Sequence, residues 1–137
     1  MKVELAYGYL HHRGQVVYIT FKDETEIGFF EVRELIGCAE KLSGYKPYFV
    51  FADARERVAV TPLGISAVGN KKGAPLCRGT AVLVNSSLLK VAANIFGKFV
   101  RPVFPYKAFT NKNEAFEWLY SLQSMEEEFD SAARKRA

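Results

Sequence analysis

The chain has 137 residues, of which 49% are hydrophobic and 14% aromatic, and its formal net charge is +4. This length and composition fit one domain with a single buried core and exclude disordered and fibrous classes. Its two cysteines, Cys38 and Cys77, form neither a Cys-x-x-Cys pair nor a disulfide framework, which is typical of a reduced, cytoplasmic protein. No window approaches about 18 apolar residues and no signal core is present, so we expect neither secretion nor an integral membrane segment.

The first 21 residues predict a β-hairpin. Residues 3–10 and 16–21 have the alternation and residue types of strands, and a turn at residues 11–14 joins them. His11 and His12 suggest a metal site, but consecutive strand residues point to opposite faces and the chain has no other histidine. We therefore predict a role in the turn for both residues, and no metal or cofactor.

The next segment predicts a helix, a buried strand and a loop. Residues 23–25 form a polar helix start, and apolar residues at helical spacing follow as far as residue 42, with Phe30 among them. Residues 48–52 are almost continuously apolar, as in a strand that is buried on both faces, and Asp53 ends this strand. Residues 54–60 are predicted to form a loop.

The second half of the chain predicts two strand–helix units after a short helix that Thr61 caps and Pro62 begins. The four later elements alternate strand, helix, strand and helix, at residues 80–85, 87–99, 103–109 and 111–122. We predict a single domain over residues 1–123. The charged tail, residues 124–137, either extends the last helix or is disordered.

This order, ββαβαβαβα, predicts an α/β fold with a mixed five-stranded sheet and helices mainly on one face. The sequence resembles the STAS-like superfamily, which has the fold of the SpoIIAA-like anti-sigma-factor antagonists, and in particular an uncharacterised small bacterial branch of it. The segments that carry the resemblance follow strands or begin helices, at residues 51–55, 81–86, 94–98, 101–102, 109–110 and 114–119. The resemblance covers residues 1–122 and implies a regulatory, protein-binding role.

Phosphorylation-controlled members of that superfamily carry an Asp-Ser-Ser-Gly-like segment at the start of the helix after the central strand. The matching positions here begin with Thr61 and Pro62 and end with Leu63 and Gly64, so the glycine matches and the serines are absent. Partner switching through phosphorylation of that serine therefore does not carry over. Thr61 is either a simple helix N-cap or a phosphorylation site at the positive end of the helix dipole.

Charged residues of one sign fill the middle of the chain. No Asp or Glu lies between Val58 and Asn113, whereas eight Lys and Arg residues do. These charges either form a positive patch for an acidic partner or are scattered over the solvent edges of the fold. The segment lacks a recognition helix, and its aromatic residues are predicted to be buried in the hydrophobic core. We therefore expect no nucleic-acid binding.

Catalytic motifs are absent from the sequence: it contains no nucleophile elbow, P-loop or dinucleotide fingerprint. Cys38 lies in an apolar helix stripe, and Cys77 has no histidine near it in the chain to act as its base. Asp53, at the carboxyl end of a central strand, is either a ligand contact or a loop cap paired with Arg55. We therefore predict that the protein is not an enzyme.

The predicted helix over residues 87–99 has apolar residues on more than one face, so something must cover the surplus. The neighbouring last helix, a second subunit, or an apolar ligand with a basic rim could do so. The first hypothesis for function is a non-enzymatic STAS-like interaction module that binds a protein partner or forms a homodimer. The alternative is a binder of a small apolar or anionic, lipid-like ligand. The candidate interaction or ligand residues are Asp53, Thr61, Asn85, Ser86, Lys90, Asn94, Lys98 and Arg101.

Overall fold

The computed structural model describes residues 2–67, 73–87, 89–91, 93–94 and 104–136. Its strands are β1 (Lys2–Leu5), β2 (Gly8–Arg13), β3 (Val16–Phe21), β4 (Thr25–Ile27), β5 (Tyr48–Asp53), β6 (Val58–Val60), β7 (Cys77–Leu83) and β8 (Tyr106–Phe109). Its helices with described bounds are α1 (Phe29–Leu42), α2 (Pro62–Ser66) and α3 (Lys112–Arg136). The described residues of the segment 87–94 are also helical.

In the part of the chain that the structure describes, six strands form one mixed sheet in the order β1-β2-β3-β5-β7-β8. The first three pair antiparallel, and β3, β5, β7 and β8 pair parallel. The predicted α/β fold with a mixed sheet is confirmed, although this sheet has six strands instead of five and its helices lie on both faces instead of mainly on one. A second, two-stranded sheet joins β4 to β6 in parallel, with Ile27 opposite Val60.

The extra strand arises because the predicted strand at residues 3–10 is in fact two. The chain turns at residues 6–7, so that β1 folds back along β2. Gly8 begins β2 where a Cβ atom would lie 2.5 Å from the carbonyl oxygen of Thr20. Only glycine permits this approach of two backbones, and it fixes the point where the new strand starts.

The β4–β6 pair replaces a predicted helix start and part of a predicted loop. The polar residues 23–25 lead into a strand, and α1 begins only at Phe29, after Gly28. The Gly28 amide donates to Oε1 of Glu31 at 3.0 Å, which satisfies one of the free N–H groups at the helix start. Both strands contain three residues, and segments this short show no periodicity that distinguishes strand from loop.

Two hydrophobic layers lie on opposite faces of the sheet. Val50 and Ala52 of β5 face the layer that contains α1 and the end of α2. Phe49 and Phe51 of the same strand face the layer that contains α3. The predicted burial of this strand on both faces follows from this arrangement, because helices cover the sheet from the two sides.

Helix α3 crosses its face of the sheet over β7, with further contacts to β5 and β8. Its residues Ala115 and Leu119 are buried against the sheet. Gly79 of β7 leaves room for Leu122, because a Cβ atom there would lie 2.8 Å from the Leu122 side chain. The strands β1, β2 and β3 lie beyond the main contacts of α3, and this leaves a cleft between β2, β3 and the helix.

Candidate functional site

The starts of α1 and α2 lie side by side because β4 and β6 precede them and pair with each other. The amide of Thr61 donates to the carbonyl oxygen of Ile27 at 2.9 Å, which continues this pairing to the end of both strands. In α2, a Cβ atom at Gly64 would lie 2.7 Å from the same carbonyl oxygen. The two helix starts are therefore held in close contact by backbone packing.

Four large apolar side chains are exposed on these adjoining segments. We call them the helix-start face; its members are Phe29, Phe30, Val60 and Leu63. The Phe30 side chain is 81% exposed and that of Leu63 is 69% exposed. The rings of Phe29 and Phe30 meet edge to face, with centroids 5.7 Å apart. Exposed apolar residues that cluster in this way mark sites of interaction more often than isolated ones do.

Thr61 is the N-cap of α2 and lies in the chain between Val60 and Leu63 of the helix-start face. Its hydroxyl oxygen accepts a hydrogen bond from the Gly64 amide at 3.1 Å, and Pro62 occupies the first helical position. Thr61 is half-buried. The cap fixes the direction in which α2 leaves β6, and with it the position of Leu63.

Asp53 and Arg55 form a bidentate ion pair at the carboxyl end of β5. Nε and Nη2 of Arg55 donate to the two carboxylate oxygens at 2.9 and 2.7 Å. Asn85, after β7, donates from Nδ2 to the carbonyl oxygen of Arg55 at 2.7 Å. Burial alone would raise the pKa of the Asp53 carboxyl, but the Arg55 hydrogen bonds and the charge of Lys112 outweigh it, so this pKa lies below its ordinary value.

The cleft between the sheet and α3 has a volume of about 740 Å³ and aromatic walls. The predicted turn role of His11 and His12 is wrong, because both lie in β2. His11 and Tyr18 stack across β2 and β3 with parallel rings 4.7 Å apart. Phe51 and Phe116 stack at 4.6 Å on the helix side. Charged side chains also line the cleft, including Arg13, Asp53, Lys112 and Glu117. The cleft thus combines apolar walls with polar groups at its margin, as small-molecule sites do.

Three of the other predicted site residues have local structural roles. The Ser86 hydroxyl accepts from the Leu89 amide at 3.1 Å and so caps the helical segment. The backbone of Lys90 continues this turn, since its amide donates to the carbonyl oxygen of Ser86. Asn94 pairs through its side chain with the backbone of Ala108. Lys98 and Arg101 lie outside the described residues.

The structure therefore brings only part of the predicted set together. Asp53 and Asn85 meet through Arg55, while Thr61 lies at the helix-start face and Asn94 at the edge of β8. Leu89 and Val91 are exposed in the described part of the helical segment, in line with the predicted apolar surplus there.

Sequence reasoning missed the exposure of Phe30, which it placed on the buried stripe of α1. The signal was the helical spacing: Val32 and Ile36 are among the buried residues of α1, and Phe30, two residues before Val32, lies about 160° away from it around the helix. The cleft was also missed. The alternation of β2 and β3 reveals two faces but does not say which part of a face a distant helix covers.

The two thiols are free, and burial raises the pKa of both Cys38 and Cys77. Within the described ranges, no three His, Cys, Asp or Glu residues are grouped as metal ligands would be. Among the helices described, none combines the length and apolar character needed to cross a membrane.

The model of a family described as a domain of unknown function, DUF7793, matches residues 9–123. The chain belongs to the DUF7793 family. No curated protein matches it. A similar solved structure is the crystal structure of an uncharacterized protein of the DUF3478 family from Shewanella loihica PV-4, described as having a SpoIIAA-like fold. The two share 18% sequence identity with a TM-score of 0.59, over 87% of this chain and 98% of that one.

The fold of this DUF7793 protein is therefore SpoIIAA-like, and the fold that the sequence resemblance implies is confirmed. At this level of identity the likeness concerns the fold alone. The family match includes the helix-start face, both cleft strands and the first half of α3, and it ends at Gln123. Residues 124–136 continue α3 beyond the matched region.

Proposed function

We propose that this DUF7793 protein is a non-enzymatic interaction module that binds a protein partner through the helix-start face. The observation that carries the proposal is the exposure of Phe30 and Leu63 on two helix starts locked together by β4 and β6. Thr61, a predicted site residue, caps the helix that carries Leu63, and we include it in the proposed surface.

Apolar burial would supply the free energy of binding at this face. Full burial of a Phe or Leu side chain contributes about 1.5–3 kcal/mol, so two such anchors supply a substantial part of a micromolar affinity. Aromatic side chains such as that of Phe30 are enriched at the cores of interfaces, and a few central residues supply most of the binding energy. Phe29 and Val60, which are also exposed, extend the contact around them.

The face is also preorganised, which lowers the entropic cost of binding. Arg57, just before β6, donates from Nε and Nη2 to Asp23 at 3.0 and 2.6 Å, and this pair anchors the loop to the start of β4. Gly64 holds α2 against the end of β4. A partner would therefore meet a fixed surface and would not have to order a loop.

The test compares Phe30→Ser/Leu63→Ser with Tyr45→Ser, a similarly exposed aromatic residue beyond the other end of α1. Each tagged protein is expressed in its own source cells, cross-linked and recovered, and the partner identified with the wild type is purified and titrated by calorimetry. We expect the double variant to bind at least about tenfold more weakly and the control to bind as the wild type does. Equal binding by all three proteins, or no partner for the wild type, would contradict the proposal.

A second candidate function is binding of a small ligand in the cleft between β2, β3 and α3. The specific observation is the cleft volume of about 740 Å³, which is within the range of small-molecule sites. The apolar or aromatic part of a ligand would pack against the aromatic walls of the cleft. Arg13 and Lys112 make no ion pair among the described residues, and they would attract an anionic group on such a ligand.

Native mass spectrometry of protein purified from its source cells tests this second function, with fluorescence titration of a long-chain fatty acid as the defined probe. We expect Arg13→Ala/Lys112→Ala to weaken binding of the probe. Lys41→Ala/Lys46→Ala removes the same charge from exposed positions outside the cleft and should bind as the wild type does. A wild type that carries no ligand and does not bind the probe would leave only the interaction function.

A further inference from the structure

The second half of α3 projects beyond the sheet. Among the described residues, the ion pair between Arg78 Nε, in β7, and Glu126 Oε1, at 3.2 Å, is the ion pair or hydrogen bond nearest the end of the helix that ties it to a strand of the sheet. From residue 127 to residue 135 every residue is exposed. We call residues 124–136 the α3 projection. An isolated helix of this length is marginal in water, so a packed neighbour would add to its stability.

An apolar stripe runs along the α3 projection. Leu122, at the edge of the sheet, is followed by Met125, Phe129 and Ala132 at spacings of three, four and three residues. This is the spacing that forms the seam between two paired helices. Met125 is 64% exposed and Phe129 is 73% exposed, so the stripe is uncovered where it leaves the domain.

Along the α3 projection acidic residues come first and basic residues follow, so two copies packed antiparallel would place opposite charges side by side. Glu127, Glu128 and Asp130 precede Arg134 and Lys135. In an antiparallel pair of such helices, the acidic half of each lies beside the basic half of the other. A parallel pair would place like charges together, and an acidic lipid surface would repel the acidic half.

The charged residues beside the apolar stripe determine the register of an antiparallel pair of α3 projections. Glu128 and Lys135 are the charged residues that flank the stripe on one side, seven residues apart. An antiparallel pair centred near residue 131 sets Glu128 of each helix beside Lys135 of the other. The same register sets Phe129 of each copy against Ala132 of the other, so a large side chain meets a small one.

We propose that two copies of this chain associate through their α3 projections, packed antiparallel with Phe129 in the seam and Glu128 beside Lys135. The inference is independent of the helix-start face, which lies on other elements. A helix pair of this length buries less surface than a standard interface, so the dimer is weak and its population depends on concentration.

The charge arrangement gives a sharp test by sedimentation velocity of the full chain over a wide concentration range. Glu128→Lys and Lys135→Glu each place like charges together, and each should weaken self-association by about tenfold. The equimolar mixture of the two single variants should associate, and the double variant Glu128→Lys/Lys135→Glu should recover wild-type behaviour. Higher salt should reduce the differences between these proteins.

Phe129→Ser tests the apolar seam and should abolish the dimer, and Phe30→Ser is the matched control that leaves it unchanged. Circular dichroism confirms that each variant keeps its fold. A wild type that stays monomeric at every concentration would overturn the proposal, whether or not it binds anionic vesicles. Dimers that persist in Phe129→Ser, or a mixture of charge variants that fails to associate, would also overturn it.

Discussion

The side chain of Asn94 pairs with the backbone of Ala108 in the way that a neighbouring strand would. Its Oδ1 accepts from the Ala108 amide at 2.8 Å, and its Nδ2 donates to the Ala108 carbonyl oxygen at 3.3 Å. Ala108 lies in β8, the last strand of the main sheet. Asn94 thus occupies part of an edge that would otherwise offer free backbone groups to another chain.

Asn94→Asp should destabilise the fold by about 1–3 kcal/mol. The carboxylate keeps an acceptor for the Ala108 amide but places an oxygen against the carbonyl oxygen of Ala108. Urea unfolding measures the change. Asn113→Asp, an exposed position in the first turn of α3, is the matched control and should be neutral or slightly stabilising because an acid there complements the helix dipole. Equal effects at both positions would show that the Asn94 bonds add nothing.

One substitution, glycine to alanine, should have opposite effects in α1 and α2. At Gly64 the added Cβ would lie 2.7 Å from the carbonyl oxygen of Ile27, and we expect a loss of about 1–3 kcal/mol as α2 is displaced. At Gly37, inside α1, no atom lies within 4 Å of the added Cβ, and alanine should stabilise the fold by about 0.5–1 kcal/mol. Thermal unfolding of both variants measures the two signs. A stable Gly64→Ala protein would mean that α2 is not held against β4.

Stability should decline in acid because of the Asp23–Arg57 pair. The hydrogen bonds from Arg57 lower the pKa of Asp23 from 3.8 to about 2. A carboxyl with a depressed pKa stabilises the folded state above its ordinary pKa, and this contribution disappears as the pH falls through about 2. Urea unfolding between pH 5 and about pH 2 should therefore show a smaller decline for Asp23→Asn than for the wild type. Arg57→Gln should have the same effect, and combining the two variants should add little.

Tyr7 should make the stability of the folded state decline as the pH rises into the alkaline range. Its hydroxyl donates to Oε1 of Glu34 at 2.6 Å and lies 3.1 Å from the carbonyl oxygen of Glu31. Burial, and then the bond to Glu34, raise the pKa of Tyr7. The folded state keeps the proton, so the contribution is present below about pH 10 and is lost as the pH rises further. Tyr7→Phe should cost about 1–2 kcal/mol at neutral pH and flatten the alkaline decline in stability. If Tyr7→Phe had the same stability as the wild type both at neutral pH and in alkali, this role would be contradicted.

The fold was largely predictable because its parallel strands are marked by local composition. The apolar run that became β5 predicts a strand covered on both faces, and the cap at Thr61 predicts the start of α2 that the structure shows. The β4–β6 pair was not predictable, because each strand is three residues long and depends on a partner about 33 residues away in the chain.

The candidate site was less predictable than the fold. The sequence identified Asp53 with Arg55 as one of two alternatives, and the structure shows the ion pair. It also indicated Asn94 as an interaction residue, but it does not reveal the hydrogen bonds to Ala108, because these depend on where two distant segments meet. The helix-start face depends on how β4 and β6 orient their helices, and the local sequence of either helix does not contain that information.

The most direct test of the interaction function is hydrogen exchange of the purified protein with and without the partner that cross-linking identifies. Binding at the helix-start face predicts slower exchange of amides at residues 28–32 and 61–66 in the complex, with little change in β2 and β3. Protection confined to the cleft strands or to α3, with none at the two helix starts, would contradict the account.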